Sequence, residues 1–154
     1  MDLNTTQILS DASKKYHRLV IVLGLPSTGK TKRLNKFKEH LNTVYINLNL
    51  ALSEKLLNYS SNEQQYNVEE LVNLIIDQHP TKVLLIDNTE IMFDPNLNLD
   101  VLNLFKRISR HQTCIITWTG SISDGKLRFS EAGYWGSKTS YDIGDIEIIL
   151  TCPQ

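Results

Sequence analysis

Eight consecutive residues have the types and spacing of a loop that binds phosphate: Gly24, Leu25, Pro26, Ser27, Thr28, Gly29, Lys30 and Thr31. The pattern is a glycine, four residues and then Gly-Lys-Thr. Glycines let a backbone curl so that its amides face a phosphate group, and a helix that begins at the end of the loop adds a positive dipole. We expect Lys30 to act in catalysis by reaching the β and γ phosphates of a nucleoside triphosphate, and the Thr31 hydroxyl to ligate Mg²⁺.

The residues on either side fit the strand and the helix that such a loop requires. Residues 18–23 form a short apolar run rich in branched side chains, which is typical of a buried parallel strand. After the loop, Leu34, Phe37 and Leu41 recur at helical spacing. The sequence therefore predicts a strand, the phosphate loop and a helix, in that order.

A second candidate site residue, Asp87, ends the apolar run 83–87. Open α/β sheets place their ligands at the carboxyl ends of their strands, so we expect this carboxylate to lie beside the phosphate loop. There it would hold Mg²⁺ through water and complete the metal site that Thr31 begins. The predicted ligand is therefore ATP together with Mg²⁺.

Hydrolysis of a triphosphate also requires a group that orients or deprotonates water. Many ATPases of this broad class have Glu directly after the Asp, whereas this chain has Asn88. Glu90 is the nearest carboxylate, and it fits both a catalytic base and a helix-start or surface residue. If neither residue serves, the protein binds ATP and turns it over slowly.

The next strand and three arginines supply further candidates. Thr117 and Thr119 follow an apolar run, where additional-strand ATPases commonly have a polar residue that senses the γ phosphate. Each also fits an ordinary strand position, and we include Thr117 among the candidate nucleotide-binding residues. Charge on the transition state calls for an arginine, and Arg107, Arg110 and Arg128 are candidates that also fit the surface. Without such a residue in the chain, a neighbouring subunit or a partner would supply it.

The remaining pattern predicts an α/β fold of the P-loop NTPase class, with a parallel sheet covered by helices on both faces, a C-terminal β-hairpin and no lid domain. We expect one domain over 1–154 with a core at about 18–150. The hairpin turn is expected at Asp124-Gly125. Helices are expected at 2–16, after the loop, around 50–57, from Asn67 to Pro80 and at about 98–110. Further strands are expected at 43–47, 83–87, 113–117 and 145–150, with loops at 59–65 and 131–144.

The composition bears on which partners the protein could have and on where it is located. The formal net charge of the 154 residues is −1, which gives no overall electrostatic case for nucleic acid or an anionic membrane. Five basic residues between Lys30 and Lys38 fit a solvated helix face, and they also fit a DNA-contacting surface. Cys114 and Cys152 have no metal or disulfide spacing, and no apolar run approaches the length of a membrane span. We therefore expect a soluble, cytoplasmic protein.

Three segments resemble one family: 47–54 (Asn-Leu-Asn-Leu-Ala-Leu-Ser-Glu), 87–95 (Asp-Asn-Thr-Glu-Ile-Met-Phe-Asp-Pro) and 118–120 (Trp-Thr-Gly). The chain resembles BrxF, the small P-loop protein of the bacteriophage-exclusion (BREX) defence systems, from about 18 to 150. The resemblance implies a nucleotide-binding subunit that acts beside a large ATPase, a DNA methyltransferase and an alkaline-phosphatase-like protein. It matches Gly29, Lys30, Thr31 and Asp87 to the nucleotide and magnesium positions. It also implies that the family shares Asn88, which makes Glu90 a candidate.

Two alternatives to an ATPase of phage defence follow from the same residues. The missing Glu at position 88 and the missing lid favour a module whose assembly, as a homo-oligomer or with partners, is controlled by nucleotide. A small-molecule kinase uses the same loop but needs a mobile, arginine-rich lid. A GTPase is less favoured because Asn35-Lys36-Phe37-Lys38 fails the Asn-Lys-x-Asp pattern at its last position. The aromatic pair Tyr134 and Trp135 fits either plain core or a partner contact.

Overall fold

The computed structural model describes residues 3–39, 43–129 and 140–151, which contain seven strands and five α-helices. The strands are β1 (Leu19–Gly24), β2 (Thr43–Asn47), β3 (Val83–Asp87), β4 (Thr113–Ser123), β5 (Lys126–Phe129), β6 (Ser140–Asp142) and β7 (Glu147–Leu150). The helices are α1 (Leu3–Ser13), α2 (Lys30–Asn35), α3 (Leu48–Leu56), α4 (Ser61–Asp77) and α5 (Val101–Ile108). Short 3-10 helices occupy Lys36–Glu39, Thr89–Phe93 and Pro95–Leu97.

Five strands form a parallel sheet in the order β2-β3-β4-β1-β7. β4 therefore lies between β1, which leads into the glycine-rich loop, and β3, which ends at Asp87. β4 also continues beyond the parallel sheet, where it pairs antiparallel with β5, and β5 pairs antiparallel with β6. This extension grows from the carboxyl edge of the sheet, the same edge at which the predicted site residues lie.

Helices cover both faces of the sheet because each central strand is apolar on both sides. On one face, α1, α2 and the 3-10 helix that follows pack on β1, β3 and β4 through one cluster of side chains: Ile8, Leu9, Ala12, Leu34, Phe37, Val20, Val22, Leu85 and Ile115. On the other face, α3, α4 and α5 pack on the alternate residues of the same strands. The prediction of an α/β fold with a mostly parallel sheet between helices is confirmed.

An aromatic cluster attaches the antiparallel extension to the rest of the domain. Phe93 stacks on Phe129 with ring centroids 3.8 Å apart, and Trp118 meets Phe93 edge-on at 4.8 Å. Tyr141 of β6 packs edge-on against Trp118 at 5.3 Å. Burial of these large rings is a strong apolar contribution, so the extension is fixed to the sheet.

The start of α4 was predicted incorrectly. The helix begins at Ser61, so most of the loop predicted at 59–65 is helical and Asn67 lies inside the helix. Glu63 accepts hydrogen bonds from the Ser60 amide at 3.1 Å and the Ser60 hydroxyl at 2.8 Å. These bonds to the first turn stabilise a helix start before the apolar periodicity begins at Val68.

Other boundaries differ by shorter stretches. α1 ends at Ser13, the helix after the loop becomes 3-10 at Lys36, and α5 spans only Val101–Ile108. A strand, β6, lies within the loop predicted at 131–144. Cys114 is buried, as expected for a thiol in an apolar strand. None of the described helices combines the length and the apolar character needed to cross a membrane. Four residues with sequence-based expectations lie outside the described ranges: Leu41, Tyr134, Trp135 and Cys152.

Candidate functional site

The carboxyl ends of β1 and β3, and the middle of β4 between them, bring the predicted site residues together. The Thr31 hydroxyl, at the start of α2, donates a hydrogen bond to Asp87 Oδ2 at 2.7 Å. The Thr117 hydroxyl donates to Asp87 Oδ1 at 2.9 Å. Thr31 and Asp87 are 56 residues apart in sequence, so only the parallel arrangement of the strands places them in contact.

Asp87 has four hydrogen-bond donors, although only 2% of the residue is exposed. Besides Thr31 and Thr117, the Tyr45 hydroxyl donates to Oδ2 at 2.6 Å and the Asn88 amide donates to Oδ1 at 2.9 Å. Both carboxylate oxygens therefore have two donors each. Such an arrangement fixes the orientation of the carboxylate and favours its ionised form.

Burial and hydrogen bonds together shift the pKa values of both partners in the Tyr45–Asp87 contact. Burial alone would raise the pKa of Asp87, but the bonds from Tyr45, Thr31, the Asn88 amide and Thr117 outweigh it and lower that pKa. Burial and the neighbouring carboxylate raise the pKa of Tyr45 to about 12. At neutral pH the pair is therefore a carboxylate and a neutral hydroxyl that donates to it.

The glycine-rich loop is closed by contacts of its own residues. Ser27 and Gly29 have left-handed backbone conformations, with φ of 64° and 87°. The Lys30 ammonium donates to the Leu25 carbonyl at 2.8 Å, and the Thr28 hydroxyl donates to the same carbonyl at 2.8 Å. The loop therefore curls back on itself, and the Lys30 ammonium lies beside the carbonyl of its second residue, Leu25.

Gly24 is required at the start of the loop because two hydroxyls crowd its α-carbon. A Cβ atom at this position would lie 1.9 Å from Thr151 Oγ1 and 2.2 Å from Thr28 Oγ1. These two hydroxyls are themselves 2.7 Å apart, and the Thr151 amide donates to the Leu23 carbonyl at 2.9 Å. The residue after β7 thus fixes the base of the loop, a contact that sequence reasoning missed.

Glu90 lies near the same edge but has a partner other than Asp87. It belongs to the 3-10 helix Thr89–Phe93, and its Oε2 accepts a hydrogen bond from the Thr119 hydroxyl at 2.6 Å. Asn88, between Asp87 and this helix, adopts a left-handed conformation with φ of 55°. The Thr89 hydroxyl donates to the Thr117 carbonyl at 2.5 Å. The helix that carries Glu90 is therefore attached directly to β4.

A groove of about 460 Å³ opens beside the loop, on α2 and the end of β7. Its lining residues are Thr28, Gly29, Lys32, Arg33, Lys36, Leu150 and Thr151. Leu150 is 52% exposed and contributes apolar surface, while the three cations make the groove basic. Such a mixture can accept a ligand that has both an apolar ring and negative charge.

A second groove, of about 520 Å³, runs along β2 between α3 and the end of α4. Tyr45 lines it and also contacts Asp87, so this groove adjoins the candidate site. Its titratable side chains besides Tyr45 are the carboxylate of Glu54, the ammonium of Lys55 and the imidazole of His79.

Two of the predicted arginines do not join the site in this structure. The Arg107 guanidinium binds Glu69 on the outer surface of α4 and α5, and the Arg110 guanidinium lies 4.8 Å from the Tyr16 ring centroid.

Tyr45 was missed because a tyrosine in an apolar strand looks like ordinary core. The signal that could have found it is the position of Tyr45 near the end of a strand adjacent to the one that ends in Asp87.

The donor set at Thr31 and Asp87 fits a hard divalent cation. Among the described residues, no three His, Cys, Asp or Glu side chains lie close enough to hold a metal by themselves. Mg²⁺, however, is usually held by one or two protein oxygens together with substrate phosphates and water. A hydroxyl and an ionised carboxylate 2.7 Å apart are suitable oxygens.

No model of a protein family matches the chain, and no curated protein matches it either.

Proposed function

We propose that the protein binds ATP with Mg²⁺ and hydrolyses it. The observation that carries the proposal is the contact between the Thr31 hydroxyl and the Asp87 carboxylate. A Gly-x₄-Gly-Lys-Thr loop after a buried strand, and a carboxylate at the end of another strand, are the two halves of a magnesium–triphosphate site. Their contact in the fold is what such a site requires.

Thr31 and Asp87 would hold Mg²⁺, which when bound would neutralise charge on the β and γ phosphates. Lys30 is one residue before Thr31, and its ammonium would exchange the Leu25 carbonyl for phosphate oxygens. The basic groove beside the loop suits the nucleoside, with Leu150 under the base and the Lys32 and Arg33 side chains nearby. The triphosphate would then cross the loop towards Asp87.

Hydrolysis in this site would be an in-line displacement at the γ phosphorus. A water oxygen forms a bond to phosphorus while the bond to the bridging oxygen breaks, and ADP leaves with that electron pair. Glu90 would accept the proton of the attacking water and return it to solvent after phosphate leaves. Because Thr119 binds Glu90 Oε2, the other carboxylate oxygen is the one available for this step.

The position of β4 supports an ATPase over other users of the loop. β4 lies between the strand of the loop and the strand of Asp87. An extra strand at this place is the feature for which additional-strand ATPases are named. Thr117, near the end of the parallel part of β4, contacts Asp87 and would lie near the γ phosphate.

We further propose that this activity serves a bacterial phage-defence system of the BREX type, in a homo-oligomer or with the other defence proteins. This part rests on the resemblance of segments 47–54, 87–95 and 118–120. The expectation is that phage plating efficiency rises in a strain whose own copy carries Lys30→Ala. Unchanged protection would contradict a nucleotide-dependent role in defence.

A phosphate-release assay on the full chain tests the ATPase proposal. Wild type is expected to release phosphate from ATP only with Mg²⁺, and Lys30→Ala is expected to release none above background. Lys82→Ala is the matched control, because that lysine is exposed just before β3, far from the loop in the sheet. Equal phosphate release by wild type and Lys30→Ala would refute loop-dependent hydrolysis.

A nucleotide-controlled assembly module is the second candidate, and the contact of Glu90 with Thr119 favours it. A carboxylate bound by a hydroxyl, together with Asn88 after Asp87, suits a site that binds ATP and hydrolyses it slowly. Tight ATP binding, an ATP-dependent change of mass by light scattering and negligible phosphate release would support this candidate. An unchanged mass with and without ATP would contradict it.

A small-molecule kinase is a third candidate because the groove along β2 adjoins Asp87 and could receive an acceptor. Two of the arginines that it would use, Arg107 and Arg110, have other partners. Transfer of labelled phosphate from ATP to a member of a nucleoside and sugar panel would support a kinase. Labelled phosphate recovered only as inorganic phosphate would contradict it.

A further inference from the structure

Polar and apolar residues alternate along the carboxyl half of β4. Thr117, Thr119, Ser121 and Ser123 occupy one face, and Trp118, Gly120 and Ile122 occupy the other. The first face carries the contacts to Asp87 and Glu90, whereas Trp118 packs in the aromatic cluster on the opposite face. The polar row therefore continues from the candidate site onto the antiparallel extension.

The register of β4 and β5 adds an arginine to this row. Arg128 is directly opposite Ser121, and directly opposite residues share a face of an antiparallel pair. Arg128 is also the diagonal neighbour of Thr119, at a Cα separation of about 7–8 Å, which a long side chain can span. The Arg128 side chain therefore lies on the same face of the strand pair as Thr119. It is long enough to reach the Thr119–Glu90 pair.

The position of Arg128 is fixed through its own backbone. The Trp118 indole N–H donates to the Arg128 carbonyl at 3.2 Å, and Trp118 is fully buried. Leu127 and Phe129, on either side of Arg128, are buried on the opposite face. The guanidinium is therefore presented from a packed strand, which gives better positioning than a loop would.

The other four arginines of the chain have different surroundings. They are Arg18 beside the Arg110 carbonyl, Arg33 over the Phe37 ring, Arg107 with Glu69, and Arg110 over the Tyr16 ring. Arg18 and Arg110 lie at the amino edge of the sheet, and Arg33 lines the groove on the nucleoside side of the loop. In the described part of the chain, no side chain forms a hydrogen bond or ion pair with the Arg128 guanidinium.

We propose that Arg128 supplies, within its own chain, the positive charge that stabilises the transition state at the γ phosphate. The inference rests on the proposed ATP hydrolysis. As the bond to the bridging oxygen breaks, negative charge is spread over the γ-phosphoryl oxygens, and a planar guanidinium can bind two of them at once. An arginine in this role acts on the transition state and little on ATP in the ground state.

The test compares Arg128→Ala, Arg128→Lys and the matched control Arg107→Ala with wild type. Single-turnover phosphate release is expected to fall about 10³-fold or more in Arg128→Ala. The affinity for a non-hydrolysable ATP analogue is expected to change less than about threefold, because an interaction made only in the transition state leaves ground-state binding intact. Arg128→Lys is expected to recover only part of the rate, since an ammonium lacks the planar fork. Arg107→Ala is expected to behave as wild type.

A second measurement does not depend on turnover. ADP with aluminium fluoride mimics the transition state, so wild type is expected to bind ADP more tightly when aluminium fluoride is added. Arg128→Ala is expected to bind ADP alone normally and to lose this tightening. An equimolar mixture of Arg128→Ala and Lys30→Ala is expected to stay inactive, because each chain lacks a group that it must supply itself.

The outcomes separate this inference from the proposed function. Loop-dependent hydrolysis in wild type together with near-normal rates and normal tightening in Arg128→Ala would overturn the role of Arg128 alone. Activity restored in the mixture would overturn its action within one chain. A wild type that neither binds nor hydrolyses ATP would overturn the proposed function, and the role of Arg128 with it.

Discussion

Removal of the Tyr45 hydroxyl is expected to destabilise the fold through Asp87. In Tyr45→Phe the carboxylate loses the 2.6 Å bond to Oδ2, while the bonds from Thr31, Thr117 and the Asn88 amide remain. Hydrogen bonds to charged groups contribute about 1.5–3 kcal/mol to stability. Because three donors remain and Asp87 is not left unsatisfied, we expect a loss near the lower end, about 1.5 kcal/mol at pH 7.

The loss is expected to depend on pH. The folded-state pKa of Asp87 is lowered below its ordinary value of 3.8, so its carboxylate contributes stability above that value, and this contribution disappears as the pH falls through the folded-state pKa. Tyr45→Phe removes one of the bonds that favour ionisation, and therefore raises the folded-state pKa. The difference in unfolding free energy between wild type and variant should thus be full at pH 7 and should shrink as the pH falls through the folded-state pKa of the variant and then of the wild type.

Urea unfolding followed by the fluorescence of Trp118 measures this difference, since the indole is fully buried. A Trp135→Phe background leaves Trp118 as the only indole in the chain. Tyr66→Phe is the control, because Tyr66 is 80% exposed and the same change there should not alter stability. A loss in Tyr45→Phe below about 0.3 kcal/mol at pH 7, or a loss that grows as the pH is lowered from 7 into the acid range, would refute the reasoning.

Two other predictions concern buried positions. Gly24→Ala would place a methyl group 1.9 Å from Thr151 Oγ1. We therefore expect the variant to lose about 1–3 kcal/mol of unfolding free energy, measured by urea unfolding, and to bind ATP more weakly, measured by calorimetry. A variant as stable as wild type would show that the loop has more room than the structure indicates. Burial raises the pKa of the Cys114 thiol to about 12. In a Cys152→Ser background, the Cys114 thiol of the folded protein should react with a disulfide reagent on the order of a hundredfold more slowly than the same thiol in urea-unfolded protein. Similar rates in the two states would contradict the burial of Cys114.

The glycine-rich loop and the position of Asp87 could be predicted because each has a signal that is local in sequence. Both signals also mark the carboxyl end of a buried strand, and parallel strands of one sheet share that edge. A contact between Thr31 and Asp87 is therefore an expectation from sequence alone, and the structure has it at 2.7 Å. The order of the strands adds the third element, β4, through Thr117.

Tyr45 and Thr151 could not be predicted in the same way. Each acts through the register between strands that are far apart in sequence, β2 with β3 and β7 with β1. Nothing in the residues around Tyr45 distinguishes it from a core aromatic. The predicted start of α4 was wrong for a different reason. Residues 61–67 are mostly polar and show no apolar period, but the bonds between Ser60 and Glu63 still favour a helix there.

The length of β4 connects the fold to the proposed chemistry. We expected a strand at 113–117 and then a hairpin turn at Asp124-Gly125, and in the structure one strand, β4, covers the whole stretch from Thr113 to Ser123. Residues 117–123 alternate between polar and apolar, which is the signal of a half-buried strand. A strand that stopped at Thr117 would give Asp87 its partner but would leave Glu90 without Thr119. The six further residues carry the polar row past Glu90 and bring Arg128 alongside it through β5. In the parallel part of the sheet β4 binds the carboxylate of the proposed metal site, and in the antiparallel part it positions the groups that would act on the γ phosphate.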